Sequence, residues 1–538
     1  MKKIKYLTLA FAAVVALGSC KKYLDVNQNP NNATDATPEL VLPNALVATA
    51  ASTVTFNEYG SWQVGMSANA GGFGGFGALL TYDYAQTQYN GLWSGSYDNL
   101  YDYQYIINQT NGDDQYSYYN AVARIMRAFV YQRLVDEYND IPYSEALQGV
   151  TNTTPAYDNA EDIYRDLYDQ LEIAIETINN AVAPIGFSNV LVKSDVMFDG
   201  DMTRWKQFAN TLKLKLLVRA SNTSVFSGIT PSFDAAGFIT DDVLVNPGYI
   251  KADGKQNPMW ATFHSDAAGN QAGAGRSRIP AIFAVSFYNG NKLNDPKRAL
   301  AIYRGGTDPI RNQLGITDDN VPLAPTGSPV WYSGNGSTYS YGEDPTTAVG
   351  ILKGRNAGMP LMLAAESYFL QAEGRMRGYI TAGLSVEELF DAGIEASFRY
   401  LYKNSSGVVA SNPLGLVDPT ADATTYQNAN AASFLANIDL ATSDEQRLEA
   451  IITQKYIALN FIHGHEAWAE FRRTGYPRIV IGSNVPSQNF ASTLSTATTP
   501  DELPGRLLYP STEFQLNPEN VPQGVTVFGS YVFWDRRN

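Results

Sequence analysis

The stretch AAESYFLQAEGRMRGYITAG, from Ala364 to Gly383, carries the clearest signal of how this chain folds. Small residues, among them Ala365 and Ala372, lie where a neighbouring helix would approach closely, and glycines occupy the turn that follows. Apolar residues at helical spacing predict one helix from Leu361 to Arg377 and a second from Val386 to Tyr402. The short turn between them predicts an antiparallel helical hairpin.

The same apolar spacing recurs elsewhere in the chain. Steps of three and four residues predict further helices with a buried stripe, in the segments Ser117 to Glu137, Ile163 to Ile178, Trp205 to Leu216 and Leu448 to Leu459. Helices paired in this way resemble degenerate tetratricopeptide units, although no fixed repeat period is present. The sequence therefore predicts a mostly α fold, a tetratricopeptide-like scaffold of helical hairpins.

Long segments rich in Gly, Pro, Asn and Tyr separate the helices. We expect helical blocks near 94–221, 361–403 and 444–473, with loop-rich insertions between them, inside one domain over 39–538. Loops of this length are disordered or functional, and the aromatic residues interleaved in them favour packed, functional loops.

Composition excludes several classes of protein. The chain has 538 residues, of which 44% are hydrophobic and 17% charged, so it is neither a multi-span membrane protein nor a charged disordered chain. Its net charge of −15 repels phosphate backbones, so we expect no nucleic-acid partner. Tyrosine, phenylalanine and tryptophan are abundant, at 34, 24 and 7 residues, and we expect many of these rings to be exposed or half exposed.

The N-terminus has the features of an export signal. Lys2, Lys3 and Lys5 precede an apolar stretch from Leu7 to Leu17, which is too short to cross a bilayer as a helix. The following sequence, Leu17 to Cys20 (LGSC), resembles the lipobox of bacterial lipoproteins. We expect residues 1–19 to be the signal peptide.

Cys20 is the only cysteine in the chain, so we expect it to be lipidated after cleavage. A single cysteine excludes an intrachain disulfide and every motif that needs two thiols. Residues 20–38 are rich in Asn, Asp, Thr and Pro and are expected to form a lipidated tether. An ordinary cleavage site beside a chance cysteine is the alternative.

Catalytic and metal-binding patterns are weak. His463 and His465 are two residues apart and do not share a helix face, so we expect them at a helix end, partly solvated. Gly72 to Gly77 fits G-x-G-x-x-G, but the sequence shows no apolar strand before it and no clear helix after it. Asp199 and Asp201 are expected to cap a helix, with a calcium site as the alternative. We therefore predict no catalytic residues, no metal and no cofactor.

The aromatic loops are the positive signal for binding. Sugar rings have apolar faces rimmed by hydroxyls, and flat aromatic side chains bury them at little entropic cost. The candidate ligand-binding residues are Phe73, Phe76, Tyr82, Trp260, Trp331, Tyr332 and Tyr339, with Tyr84, Phe263 and Tyr341 beside them. For each single ring, packing inside the protein is the competing interpretation.

Several longer strings resemble the SusD/RagB family of outer-membrane nutrient-binding lipoproteins, and its SusD-like branch 2 in particular. They are CKKYLDVNQNP after the lipobox, AFVYQRLVDEYNDIPYSEAL from Ala128, DGDMTRWKQFANTLKLKLLVR from Asp199, AAESYFLQAEGRMRG from Ala364, and QKYIALNFIHGHEAWAEFRRTGYPR from Gln454. The resemblance extends from Cys20 to the closing VFWDRRN.

The resemblance implies a helical scaffold with a loop-rich ligand face, a lipid anchor in the outer membrane exposed at the cell surface, and a SusC-like TonB-dependent transporter as partner. It also implies an oligosaccharide ligand, or a peptide in some members, and no catalysis. Of the functional residues, it carries over Cys20 alone, because ligand residues vary within the family.

These observations leave three hypotheses. The leading one is a non-catalytic outer-membrane lipoprotein that binds an oligosaccharide or similar nutrient oligomer and delivers it to the transporter. The second is a surface glycoside hydrolase that uses a carboxylate pair, since 53 acidic residues leave that geometry open. The third is a helical-repeat scaffold that binds proteins only.

Overall fold

The computed structural model describes residues 36–182, 189–318, 321–323, 330–331 and 347–537. The predicted signal peptide, most of the tether and Cys20 lie outside these residues. Three aromatic candidates, Tyr332, Tyr339 and Tyr341, also lie outside them.

The first half of the chain is dominated by long helices. They are α1 (Pro38–Gln63), α2 (Ala78–Thr81), α3 (Asn90–Thr110), α4 (Ser117–Tyr138), α5 (Ala160–Asn180), α6 (Asn189–Ser194) and α7 (Met202–Arg219).

A loop-rich middle segment contains only short helices, and longer ones return after it. In order they are α8 (Pro258–Phe263), α9 (Gly273–Ser277), α10 (Ile282–Val285), α11 (Pro296–Ile302), α12 (Ala364–Met376), α13 (Val386–Tyr402), α14 (Pro419–Ala429), α15 (Asp444–Ala458), α16 (Gly464–Thr474) and α17 (Ser511–Leu516).

The strands of the described residues are short and pair antiparallel, β1 with β5, β2 with β3 and β4 with β6. Their bounds are β1 (Ser67–Asn69), β2 (Ile141–Pro142), β3 (Tyr157–Asp158), β4 (Val243–Val245), β5 (Arg278–Pro280) and β6 (Met359–Met362). Each pair fastens a loop to the helical body, and the fold is mostly α, as predicted.

Neighbouring helices pack as hairpins. α3 packs on α4, α4 on α5, and α12 on α13, and α7 and α15 add to the layer that these pairs form. Ser385 and Glu388 form a capping box that starts α13 at the predicted residue. Asp201 caps α7 by accepting hydrogen bonds from the amides of Thr203 and Arg204, which confirms its predicted role.

Helix α1 was missed by the apolar-stripe argument because it is buried on several sides. By its length and composition alone, this helix could cross a membrane. In the fold it packs against α3 and α16. The helices α1 and α16 touch backbone to backbone, since a Cβ on Gly60 would lie 2.1 Å from the amide nitrogen of His465. At this crossing Asn57 Oδ1 accepts a hydrogen bond of 2.8 Å from the amide of Gly464.

A network of buried charges joins five helices at the centre of the scaffold. On α7, Arg219 donates to Asp136 of α4 at 3.0 Å and to Glu466 of α16 at 2.8 Å. Lys215, one turn earlier, contacts Glu466 and lies 3.1 Å from Glu366 of α12. All of these side chains are almost completely buried.

Glu470 is the second centre of this network. Lys455 of α15 and Arg473 of α16 lie 2.8 Å and 2.5 Å from its carboxylate, and Arg219 lies 3.4 Å away. Burial alone would raise the pKa of Glu470, but Arg473 and Lys455 lower it below its usual range. Arg473 also reaches Glu373 of α12 at 2.7 Å, so one guanidinium bridges two helices.

Arg473→Met tests the importance of this network. The substitution leaves Glu373 and Glu470 buried with one cation fewer, which we expect to lower the free energy of unfolding by about 3–5 kcal/mol. Urea titration followed by circular dichroism measures it. Arg399→Met is the matched control, because Arg399 pairs with Glu395 near the surface, and it should change stability by no more than about 0.5 kcal/mol. Equal losses in the two variants would contradict the prediction.

Candidate functional site

A glycine-rich loop and a second loop meet at the edge of the helical scaffold. Gly71 follows β1 and donates a backbone hydrogen bond of 3.0 Å to Pro322. A Cβ on Gly71 would lie 2.2 Å from the carbonyl oxygen of Val321, so only glycine permits this approach. Gly72 adopts a φ of 75°, which also favours glycine. These glycines therefore allow the two loops to pack closely against each other. This role agrees with the weak match of Gly72 to Gly77 to a dinucleotide-binding motif.

Between the two loops lies a cleft of about 310 Å³, which we name the aromatic cleft. This volume is at the lower end of the range of ligand pockets. The residues that line it are Asn69, Ala70, Gly71, Gly72, Phe73, Phe76, Thr317, Asp318, Val321 and Leu323. Two of the predicted ligand residues therefore lie together in one cleft.

Three large apolar side chains line the aromatic cleft, together with Ala70 and Val321. Phe73 is half-buried, and Leu323 is 65% exposed although it is large and apolar. Phe76 is 9% exposed and packs against Trp62, with 5.8 Å between ring centroids, so mainly the rim of its ring is available. An exposed aliphatic side chain beside a half-buried ring forms a surface that the apolar face of a ligand can cover.

The structure contradicts the expectation that Tyr82 and Tyr84 are exposed platforms. Tyr82 is completely buried, and its hydroxyl accepts a hydrogen bond of 3.2 Å from the amide of Ser492. Tyr84 is also buried, and Gln63 donates a hydrogen bond to its hydroxyl. Burial raises the pKa of both phenols. These rings hold the loop onto the scaffold and offer no free face.

Trp260 and Phe263 of α8 are also core residues. Trp260 is 1% exposed and stacks on His264 with 3.8 Å between ring centroids, while Phe263 packs against Phe461. The space beside Trp260 measures about 10 Å³, enough for at most one water molecule. Trp260, which the sequence predicted as a ligand-binding residue, therefore has no exposed ring face in this structure.

Trp331 is likewise covered by the protein. Its ring is 0% exposed and lies parallel to Phe461, with 3.6 Å between centroids and 1° between planes. The indole nitrogen donates a hydrogen bond of 3.0 Å to the carbonyl of Arg278 in β5. An isolated sequence motif, PVWYSGNGSTYSYGED, could not reveal this long-range stack.

The two neighbouring histidines are buried, contrary to the expected partial solvation. His463 is 0% exposed and His465 is 6% exposed, because α16 begins against α1. Burial lowers the pKa of both imidazoles, and Arg133 lowers that of His465 further. Within the described ranges, no three His, Cys, Asp or Glu side chains lie close enough together to hold a metal ion.

Sequence reasoning missed a second cleft, whose lining includes Ile316, the residue before Thr317 of the aromatic cleft. It measures about 490 Å³, and we name it the polar cleft because eight of its fifteen lining residues carry a hydroxyl or an amide side chain. The residues are Gln313, Ile316, Ser483, Asn484, Val485, Pro486, Asn489, Ala491, Ser492, Thr493, Ser495, Ala497, Thr499, Pro500 and Asp501. The only sequence feature that could have indicated this cleft is a long stretch rich in Ser, Thr and Asn, and such stretches are typical of solvated loops.

Comparison with known proteins places this architecture in a family. The family model described as "SusD-like_2: Starch-binding associating with outer membrane" matches residues 30–510. The search of curated proteins found no match.

Solved structures share the fold over nearly the whole chain. A structure titled "chitin-binding protein" is 23% identical with a TM-score of 0.64, covering 93% of this chain and 100% of that one. A chitin-binding SusD homolog from Flavobacterium johnsoniae is 22% identical with a TM-score of 0.63, covering 92% and 99%. A SusD homolog from Bacteroides uniformis ATCC 8492 is 20% identical with a TM-score of 0.61, covering 92% and 99%.

Truncating the aromatic rings separates core rings from cleft rings. We expect Trp331→Ala to lower the free energy of unfolding by about 3–5 kcal/mol, as expected for a buried tryptophan. Trp205→Ala serves as the core reference, because Trp205 is 0% exposed and donates a 2.7 Å hydrogen bond to Asp195. Phe73→Ala should cost less than about 1.5 kcal/mol, since that ring is only half-buried. Chemical unfolding measures all three, and unchanged stability in Trp331→Ala would contradict its assignment to the core.

Proposed function

Because the chain belongs to the SusD-like family, we propose that it is a non-catalytic lipoprotein of the outer membrane that binds an oligosaccharide in the aromatic cleft. It delivers this ligand to a SusC-like TonB-dependent transporter. The family's printed description, starch-binding and associated with the outer membrane, supports the ligand class and the location. The titles of two neighbours name chitin, another glycan.

The observation that carries the proposal is the pairing of Phe73 with the exposed Leu323 in a cleft rimmed by polar groups. Thr317 and Asp318 supply a hydroxyl and a carboxylate on the same wall, and both are exposed. A sugar presents C–H groups on its ring faces and hydroxyls around its edge. The lining offers an apolar surface for the first and hydrogen-bonding groups for the second.

The carboxylates support binding without catalysis. Glycoside hydrolases generally need two carboxyl groups about 5 to 10 Å apart across the scissile bond. Among the described lining residues, the aromatic cleft has Asp318 and the polar cleft has Asp501 as its single carboxylate. Neither cleft by itself therefore provides the pair.

The N-terminal sequence supports attachment to a membrane. Cys20 is 18 residues before Pro38, where α1 begins. A segment of that length spans at most about 60 Å when fully extended, which keeps a receptor close to its membrane. Several acyl chains on one cysteine would anchor it firmly, whereas a single chain binds only marginally.

Isothermal calorimetry with starch-derived and chitin-derived oligosaccharides tests the ligand. We expect the folded wild-type protein to bind at least one of them, and Phe73→Ala to weaken this binding by about tenfold or more, or about 1.4 kcal/mol. Tyr101→Ala is the control, because Tyr101 is 49% exposed but lies outside both clefts. Binding that is unaffected by Phe73→Ala would reject this site, and release of reducing ends would reject the non-catalytic role.

Cys20→Ala tests the anchor. We expect the wild-type protein to incorporate radiolabelled palmitate and to sediment with outer membranes, and the variant to do neither. Extraction of the wild-type protein in mild detergent should also recover a large β-barrel transporter. The variant's glycan affinity, measured by calorimetry, should equal that of the wild type because the clefts are distant in sequence from Cys20. A variant that still sediments with outer membranes would contradict lipid anchoring.

A further inference from the structure

The loop segment around Phe73 is loosely packed on one side. Before Phe73, the backbone of Gly71 is bonded to the second loop of the aromatic cleft. After Phe73, an added Cβ on Gly74 or Gly75 would meet no atom within 4 Å, so open space surrounds this part of the loop. The backbone alone therefore does not fix the direction of the Phe73 ring.

Another wall of the aromatic cleft is held by side-chain hydrogen bonds. Asn69 and Asn312 both donate to the carbonyl of Ile316, at 2.7 Å and 3.1 Å. The next residue, Thr317, lines the cleft. Hydrogen bonds to the backbone therefore fix the position of Thr317, whereas the position of the Phe73 ring depends on what its side chain packs against.

The guanidinium of Arg276 lies over the Phe73 ring. Its central carbon is 5.4 Å from the ring centroid, which is within the range of a cation–π contact. The Arg276 side chain is half-buried, and it forms no salt bridge with any residue that the structure describes. Its Nε also has no hydrogen-bond partner there. Phe73 is therefore the contact that best accounts for where this guanidinium lies.

Backbone pairing brings Arg276 and Phe73 together. Strand β1 pairs antiparallel with β5, and the amide of Ala70 donates a hydrogen bond of 3.0 Å to the carbonyl of Ser277. Arg276 precedes Ser277 by one residue, and Phe73 follows Ala70 by three. The two side chains consequently start from neighbouring points that the same strand pair fixes.

Helix α9, which carries Arg276, is itself held firmly. A Cβ on Gly275 would lie 1.8 Å from the carbonyl oxygen of Phe263, so only glycine permits this contact between α9 and α8. Just before α9 begins, the amide of Ala272 donates a hydrogen bond of 2.9 Å to the carbonyl of His264. Arg276 therefore extends from a fixed support to a ring in a loosely packed loop.

From these contacts, and resting on the proposed function, we propose that Arg276 is a positioning residue for oligosaccharide binding. It is not among the described residues that line the aromatic cleft, and it acts through Phe73. The guanidinium covers part of the ring and holds the rest in place at the cleft. A ring that is already ordered raises affinity, because less conformational freedom is lost when the ligand binds.

Calorimetry with maltohexaose and chitohexaose tests this role. Arg276→Met removes the cation and keeps an unbranched side chain. We expect it to weaken binding of whichever oligosaccharide the wild type binds by about fivefold, or about 1 kcal/mol, the size of one cation–π contact. Arg276→Lys keeps a cation and should stay within about twofold of the wild type. Arg447→Met is the matched control, because Arg447 pairs with Asp444 on α15 and lines neither cleft, and it should bind normally.

A double-mutant cycle separates positioning from direct contact with the ligand. Phe73→Leu keeps an apolar side chain in the cleft but removes the ring on which the guanidinium lies. In this background we expect Arg276→Met to change the affinity by less than about 1.5-fold. An equal loss in both backgrounds would show that Arg276 contacts the ligand itself, and would overturn the positioning role. Normal binding by Arg276→Met in the otherwise wild-type protein would also overturn it.

A spin label measures the same effect without any ligand. Cys20 is the only cysteine, so Cys20→Ala combined with Gly74→Cys leaves one thiol for a nitroxide label. Gly74 suits the label because its φ is not left-handed and an added Cβ meets no atom within 4 Å. We expect Arg276→Met to increase the fast-tumbling component of the electron paramagnetic resonance spectrum, and Arg276→Lys and Arg447→Met to leave it unchanged. Identical spectra for Arg276→Met and its parent would contradict the proposal.

The two measurements distinguish failure of this inference from failure of the proposed function. Thermal melts first confirm that each variant is folded. If neither oligosaccharide binds the wild type, the proposed function fails, and the spin-label spectra still decide whether Arg276 holds the Phe73 loop. If an oligosaccharide binds through Phe73 while Arg276→Met changes neither the affinity nor the spectrum, only the positioning role fails.

Discussion

The buried ion network is the constraint on which the rest of this molecule depends. Five helices meet around Arg219, Glu466 and Glu470, and each contributes a charge that would be costly to bury alone. The desolvation cost is offset only when all of the partners are in position, so the helices must assemble in one arrangement. The network explains why charged residues occupy buried positions in the last turns of α7 and along α16, where an apolar stripe alone would place leucine or alanine. Its members fall inside the strings that marked the family, so those strings describe the scaffold.

The high aromatic content has a structural explanation that composition does not reveal. Where the structure describes them, most of the loop rings predicted to bind ligand are buried inside the protein. Trp331 stacks on Phe461, and the Tyr82 hydroxyl accepts a hydrogen bond from Ser492. Large rings in long loops stabilise segments that lack regular backbone pairing, because each ring buries a large area. The Tyr82 hydroxyl and the Trp331 indole also form hydrogen bonds. The loops are therefore held rigidly enough to shape clefts. Among the large apolar residues that line the aromatic cleft, Phe73 and Leu323 keep part of their side chains exposed to solvent.

The sequence predicted the parts of the structure that are governed by local rules. Helix α13 begins and ends where its apolar spacing indicated, and Asp201 caps α7 as its position predicted. Helix α1 escaped prediction because its buried faces include Asn57 and Gly60, which are determined by the crossing with α16. The same limit applies to the clefts. Nothing near Trp331 in sequence reveals its stack on Phe461, and nothing near Thr499 reveals that Ile316 lines the same cleft.

The division between scaffold and clefts has a consequence for how ligand choice can change. The two clefts are built by loop backbone, fixed by Asn69, Asn312 and the glycines that allow close approach, and none of these residues belongs to the ion network. Thr317, Asp318 and Thr499 are exposed side chains on that fixed backbone. Substitutions of exposed residues usually change the free energy of unfolding by no more than about 0.5 kcal/mol. The same substitutions directly change the surface that a ligand contacts. The charge and shape of the clefts can therefore vary while the helices keep their single arrangement, because the two sets of interactions share few side chains.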